Sequence, residues 1–112
     1  MKRFRLSGLR DINEEHVLRG FLPGKSIISG GLSFEKPDTR THTNDGPEGI
    51  DFHVHEDCEA FIIMQGRGFV EIDKTLYSLT TGDIIIVEPG EDHHLISDSE
   101  KPLITLWCMS GD

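Results

Sequence analysis

From residue 26 onward the chain is a succession of short apolar or alternating segments, near 26–35, 50–56, 59–64, 68–73, 75–79, 84–88, 93–97 and 103–109, separated by turn residues. A period of two places alternate side chains on opposite faces of a strand. Short strands at this regular spacing predict a β-sandwich or barrel. Ala60 to Met64 and Ile84 to Val87 are the cleanest apolar runs. Both are far too short to span a bilayer, and Ile84 to Val87 predicts a buried strand. Before them, Asp11-Ile12-Asn13-Glu14 predicts a short helix, with an Asp cap and an acid three residues on, running to about Arg19 and stopping at Gly20. Residues 36–49 are polar and contain Pro37, Gly46, Pro47 and Gly49, so a long loop is expected there, with room for a short strand at 39–43.

A length of 112 residues sets one domain as the expectation, 1–112, with a single core. Twelve glycines suit the many tight turns of an all-β fold. The net charge of −9 is unevenly spread. Lys2, Arg3, Arg5 and Arg10 fall in the first ten residues, which hold no acid, and the remainder carries 7 bases against 20 acids. Such an acidic body repels nucleic acid and anionic membrane. The basic strip reads as a solvated terminal strand or as a contact for an acidic partner. No apolar stretch follows Met1-Lys2-Arg3-Phe4-Arg5, and Cys58 and Cys108 form no disulfide pattern, so a reducing cytoplasm is the expected compartment.

Candidate chemistry gathers in two places. In His53-Val54-His55-Glu56-Asp57-Cys58-Glu59 the two histidines project from one face of a strand that Asp51 would share. Ile50, Phe52 and Val54 would then need a cover outside, an argument for a homodimer. After the turn at 56–58, Glu59 re-enters a strand on a face shared with Phe61 and Ile63. Downstream, Pro89-Gly90 bends the chain towards His93-His94, whose rings must face opposite ways, so one of them at most joins the others. Three imidazoles and a carboxylate suffice for a divalent transition metal with open positions left for a ligand. Arg40, His42 and Glu88 are candidates to orient a substrate or move protons, and Phe61, Ile63, Leu95 and Trp107 to wall a pocket. Cys58 stands among acids that raise a thiol's pKa and oppose a ligand role. The Tyr77 hydroxyl reads as solvent-facing or as an acid, and His16 as a surface residue.

These residues resemble the cupin superfamily. His53-x-His55-x3-Glu59-x6-Gly66 matches most of its first motif, and Gly82-x7-Gly90-x2-His93 most of its second. Two motifs in order across about 45 residues are a specific signal. The chain departs from the pattern at Pro47, where the first motif opens with Gly, at Glu88, where the second has Pro, and at Ser97, where it ends in Asn. The resemblance implies a double-stranded β-helix, a jelly-roll barrel with core motifs at 49–66 and 82–97 and a short N-terminal helix. It also implies a metal (Fe, Mn, Ni, Zn, Co or Cu) held by His53, His55, Glu59 and His93, and its spacing selects His93 over His94. One carboxylate leaves the centre near +1, which invites a small anionic ligand. The expected function is a small metal-dependent enzyme, a dioxygenase or an isomerase or lyase acting on a polar anionic metabolite or sugar acid. The alternatives are a metal-dependent small-ligand binding or sensor module and, more weakly, a scaffold barrel.

Overall fold

A computed structural model describes residues 1–12, 26–43, 49 and 51–111. Eight strands form two antiparallel sheets. They are β1 (Lys2–Arg5), β2 (Ser26–Phe34), β3 (Glu59–Gln65), β4 (Arg67–Ile72), β5 (Thr75–Thr80), β6 (Asp83–Val87), β7 (His93–Ser97) and β8 (Ile104–Gly111). One sheet has the order β1-β6-β3-β8-β2, the other β5-β4-β7. The expected all-β jelly roll is what forms. Its core lies between the sheets: Phe61, Ile63, Ile85 and Val87 meet Val70, Ile72, Leu79 and Leu95, with Leu103 beside them. Alternation explains the choice, because Phe61 and Ile63 of β3, Val70 and Ile72 of β4, and Ile85 and Val87 of β6 are spaced two apart and share the inner face.

Strand β6 is buried along its whole length. Its other face packs Ile86 with Cys58 and Ala60, and Phe4 and Cys108 close this smaller cluster. The basic strip is therefore a true edge strand: Phe4 pairs with Ile84 and Lys2 with Ile86.

Turn chemistry agrees with the sequence at the tight corners. Asp73 and Lys74 both adopt positive φ between β4 and β5, the twist a two-residue hairpin needs. Gly66 has φ +87, and a Cβ there would lie 2.1 Å from the Pro102 carbonyl oxygen, so no other residue fits between β3 and β4 without moving backbone.

Three expectations are corrected. The helix begins earlier than the Asp cap suggested: Leu6–Gly8 form a 3-10 turn and Leu9–Ile12 a single helical turn, with Asp11 inside it. Its extension to Arg19 lies outside the described residues, as does His16. Residues 51–58 are extended but belong to neither sheet. They run beside the β6–β7 turn, where His93 N donates to His53 O (3.1 Å) and Gly90 N to His55 O (3.1 Å). The His53 amide turns instead to the Asp92 carboxylate at 2.6 Å, which interrupts a regular ladder. Finally, the alternation His53–His55 does not extend back to Asp51, which is drawn to Arg40 on the other side. In the loop, residues 39–41 lie along the free edge of β7: Arg40 bridges Ile96, Thr41 N donates to Leu95 O and Ser97 N to Thr39 O.

The outer face of the larger sheet is apolar. Register aligns Phe4, Ile84, Ile62, Leu106 and Leu32 in one row across all five strands. At its β2 end Leu32 is 68% and Phe34 59% exposed, with Met64 and Leu106 also open.

Candidate metal centre

Two separate segments bring the histidines together. His53 and His55 come from the extended segment pinned by its carbonyls to the β6–β7 turn, and His93 is the first residue of β7. Gly90 makes that turn at φ +82, a conformation that favours glycine. Nitrogen atoms of His53, His55 and His93 all lie within 4.8 Å of one another. Glu59, the first residue of β3, places Oε1 3.0 Å from His93 Nε2 and 3.4 Å from His55 Nε2. His42 stacks flat on His53, ring centres 3.6 Å apart.

The electrostatics of the cluster differ from ring to ring. Burial lowers the His53 imidazole to about 4, helped by the neighbouring His42, His93 and His55. Burial lowers His55 as well, with Glu59 pulling the other way. For His93 burial also opposes the charge, but hydrogen bonds to Glu59 and to the Glu91 carbonyl outweigh it and its pKa rises. The reason is visible in the geometry. His93 Nδ1 donates to Glu91 O at 3.0 Å, which fixes the ring and leaves Nε2 facing the carboxylate. A proton on Nε2 then sits where a cation would serve equally well. Donor set, spacing and orientation thus fit a divalent transition metal with nitrogen and oxygen ligands.

His53, His55 and Glu59 of the cluster line a cavity of about 300 Å³. Phe61, Leu95, Trp107 and Met109 give it apolar sides, and Ser33, Glu35, Thr41 and His42 polar ones. Phe61, Leu95 and Trp107 were expected there. Ile63, also expected, lies deeper in the core. Ser33, Glu35 and Thr41 were not foreseen. Ser33 and Glu35 alternate with Leu32 and Phe34, and that alternation was the available signal. It misleads because the polar members point inwards here and the apolar ones outwards. Burial pushes the Glu35 carboxyl above its ordinary value, with His42 and Thr105 acting in the opposite sense.

His94 faces away from this cluster. It is fully buried, Nδ1 donating to Thr41 O and Nε2 contacting Asp92 Oδ1, both at 2.9 Å. With Asp51 and Glu71 it forms a second group of ligand-type atoms. Arg40 occupies that group: its guanidinium bonds Asp51 at 2.6 Å and also Glu71. Glu88 stands by the Met1 amino group at 3.4 Å and by Lys2 Nζ at 3.6 Å. Neither Arg40 nor Glu88 lines the cavity among the described residues, whereas His42 does. Cys58 is buried on the outer side of the sheet, where burial first, and Glu88 second, raise its pKa. Tyr77 packs partly buried against the core beneath Arg3.

A jelly roll with a histidine-rich cavity between its sheets defines a recognisable class of β-barrel. The cupin domain model matches residues 39–109, and the chain belongs to the cupin family. Its fold is similar to a cupin protein from Bacteroides fragilis (18% identity, TM-score 0.64, 78% of this chain and 68% of that one). A protein from Photorhabdus luminescens is comparably similar (22%, 0.62, 82% and 72%). So is a predicted oxalate decarboxylase from Thermotoga maritima (15%, 0.61, 88% and 75%). At these identities the likeness concerns the fold. No curated protein matches the sequence. No described helix is long and apolar enough to cross a membrane.

Proposed function

We propose that this cupin is a small metal-dependent enzyme, with one divalent transition metal held by His53, His55, Glu59 and His93. The observation that carries the reading is the convergence of three ring nitrogens and one carboxylate, of which His53, His55 and Glu59 line a cavity of ligand size. Bound there, the metal would supply Lewis acidity to substrate oxygens and, in a redox-active case, access to O2 chemistry. The chain's own residues do the rest. Phe61, Leu95 and Trp107 exclude water from one side of the ligand. His42, parallel to His53 and open to the cavity, is the side chain placed to accept or return a proton at its imidazole. Arg40 and Glu88, engaged elsewhere, act on structure.

The reaction is oxidative cleavage by a dioxygenase, or isomerisation or elimination through an enolate. Holding a ligand without turnover, as a sensor does, is the other outcome to test. Elemental analysis of protein purified without chelator should give close to one transition metal per chain, and none after reconstitution overturns the reading. Oxygen uptake with diketones, catechols or thiols identifies the dioxygenase, and turnover of uronates or keto-sugars without it identifies the isomerase or lyase. Tight binding with no product over hours identifies the sensor. We further propose that two copies pair through the apolar outer face around Leu32, Phe34 and Leu106. Both cysteines are free thiols, in keeping with a reducing cytoplasm.

A further inference from the structure

The cavity contains a second carboxyl that no metal ligand set requires. Glu35 follows β2 and shares the inward-facing side of Ser33, so it borders the same cavity as Glu59, His53 and His55. Its main chain is tied on both sides: Glu35 N donates to Leu103 O at 2.9 Å, and its carbonyl accepts from Ser97 Oγ at 3.0 Å. The side chain is thus carried on a fixed backbone rather than on a loop. No lysine or arginine lines the cavity among the described residues, and Arg40 of the following loop is bonded to Asp51 and Glu71. Phe61, Trp107 and Met109 give the cavity apolar sides.

Resting on the metal reading above, we propose that Glu35 sets the charge of the ligand. It accepts a hydrogen bond from a hydroxyl or amide N–H of a small, uncharged, partly apolar molecule whose oxygens face His53, His55 and His93. A ligand bearing a carboxylate at that position meets a like charge in a half-dry cavity, where repulsion is poorly screened. The residual positive charge of a metal centre argues for an anion, but it acts at the histidine end. The group at the Glu35 end needs a donor. A volume of about 300 Å³ limits the molecule to a single ring or a short chain.

The test compares salicylamide with salicylate, which share a ring and a phenol and differ in amide against carboxylate. Cobalt-loaded wild-type protein and the Glu35→Gln and Glu35→Lys variants are titrated by calorimetry, with cobalt content measured on the same samples. The ratio of Kd for salicylate to Kd for salicylamide should fall about tenfold in Glu35→Gln, one charge repulsion being removed, and further in Glu35→Lys. An unchanged ratio with cobalt retained overturns the role of Glu35 and leaves the metal reading standing. Absence of cobalt from all three proteins overturns both. If the variants fail to fold, a crystal of wild-type protein with salicylamide decides: the amide nitrogen within hydrogen-bond distance of Glu35 supports the assignment, and an amide directed elsewhere overturns it.

Discussion

Two neighbouring histidines end in opposite situations. His93 looks into a cluster of rings and a carboxylate that holds no side-chain cation of Lys or Arg among the described residues. His94 looks into a cluster of carboxylates, Asp51, Glu71 and Asp92, in which the Arg40 guanidinium already lies. By proximity of donor atoms alone both would be metal sites. What separates them is that one group has its positive charge built into the sequence and the other leaves that charge to be supplied. An ion pair of this kind holds a loop in place, while a group with no side-chain cation of its own is suited to chemistry.

The sharpest way to break the comparison is to delete each ring. His93→Ala should weaken metal affinity on the order of a hundredfold or more, since a ligand counts at least as much as its orienting neighbours. His94→Ala should leave one metal per chain. Equal metal loss in both would place the strand one residue out of register. His94→Ala should instead lower stability by about 2–4 kcal/mol in urea unfolding, because a fully buried ring with two hydrogen bonds leaves a cavity and unpaired partners.

Arg40→Met exchanges the two situations. Removing the built-in cation should cost about 1–2 kcal/mol, the pair with Asp51 being partly exposed. It should also make the melting temperature respond to a second equivalent of zinc, which wild-type protein should not show. No second zinc response would mean that Arg40 is not what keeps that group from binding an ion.

The smallest expected effect is on pH dependence of the metal-free protein. His53 has its folded pKa lowered from 6.5 to about 4, so the unfolded state binds more protons in that window and stability falls as pH drops through it. His93 has its folded pKa raised, so its contribution is fully present below 6.5 and is lost as pH climbs through the folded value. Together they place a stability maximum near pH 6.5, with a fall of about 1–2 kcal/mol by pH 4 after allowance for the partial exposure of His53. Urea midpoints from pH 4 to 8 test this, and a monotonic rise towards pH 8 would contradict it.

The contrast also marks what a linear sequence can convey. Strand alternation, the turns at Gly66 and Gly90 and the spacing to His93 are local, and each restricts backbone in a way that residue types report. They were enough to read a sandwich or barrel and to set His93 and His94 on opposite faces, while the jelly roll and the preference for His93 came with the cupin resemblance. The role of Arg40 was not legible, because it depends on Asp51 and Glu71 competing for one guanidinium across separate segments. Glu88 drew attention as a departure from the family pattern, yet the Met1 amino group and Lys2, brought over by β1, hold it outside the cavity. Glu35 was missed because an apolar outer face inverts the usual meaning of alternation.

That inversion makes β3 a strand with two employers. Glu59 and Ala60 are successive residues, one bordering the cavity and the other packed beneath the outer face. A close-packed sheet passes displacement from one side to the other. Efforts to make the protein more soluble by adding polar groups should therefore begin off this face, at the exposed Leu76 on edge strand β5. The same change at Ile62 would shift the backbone that sets the position of Glu59.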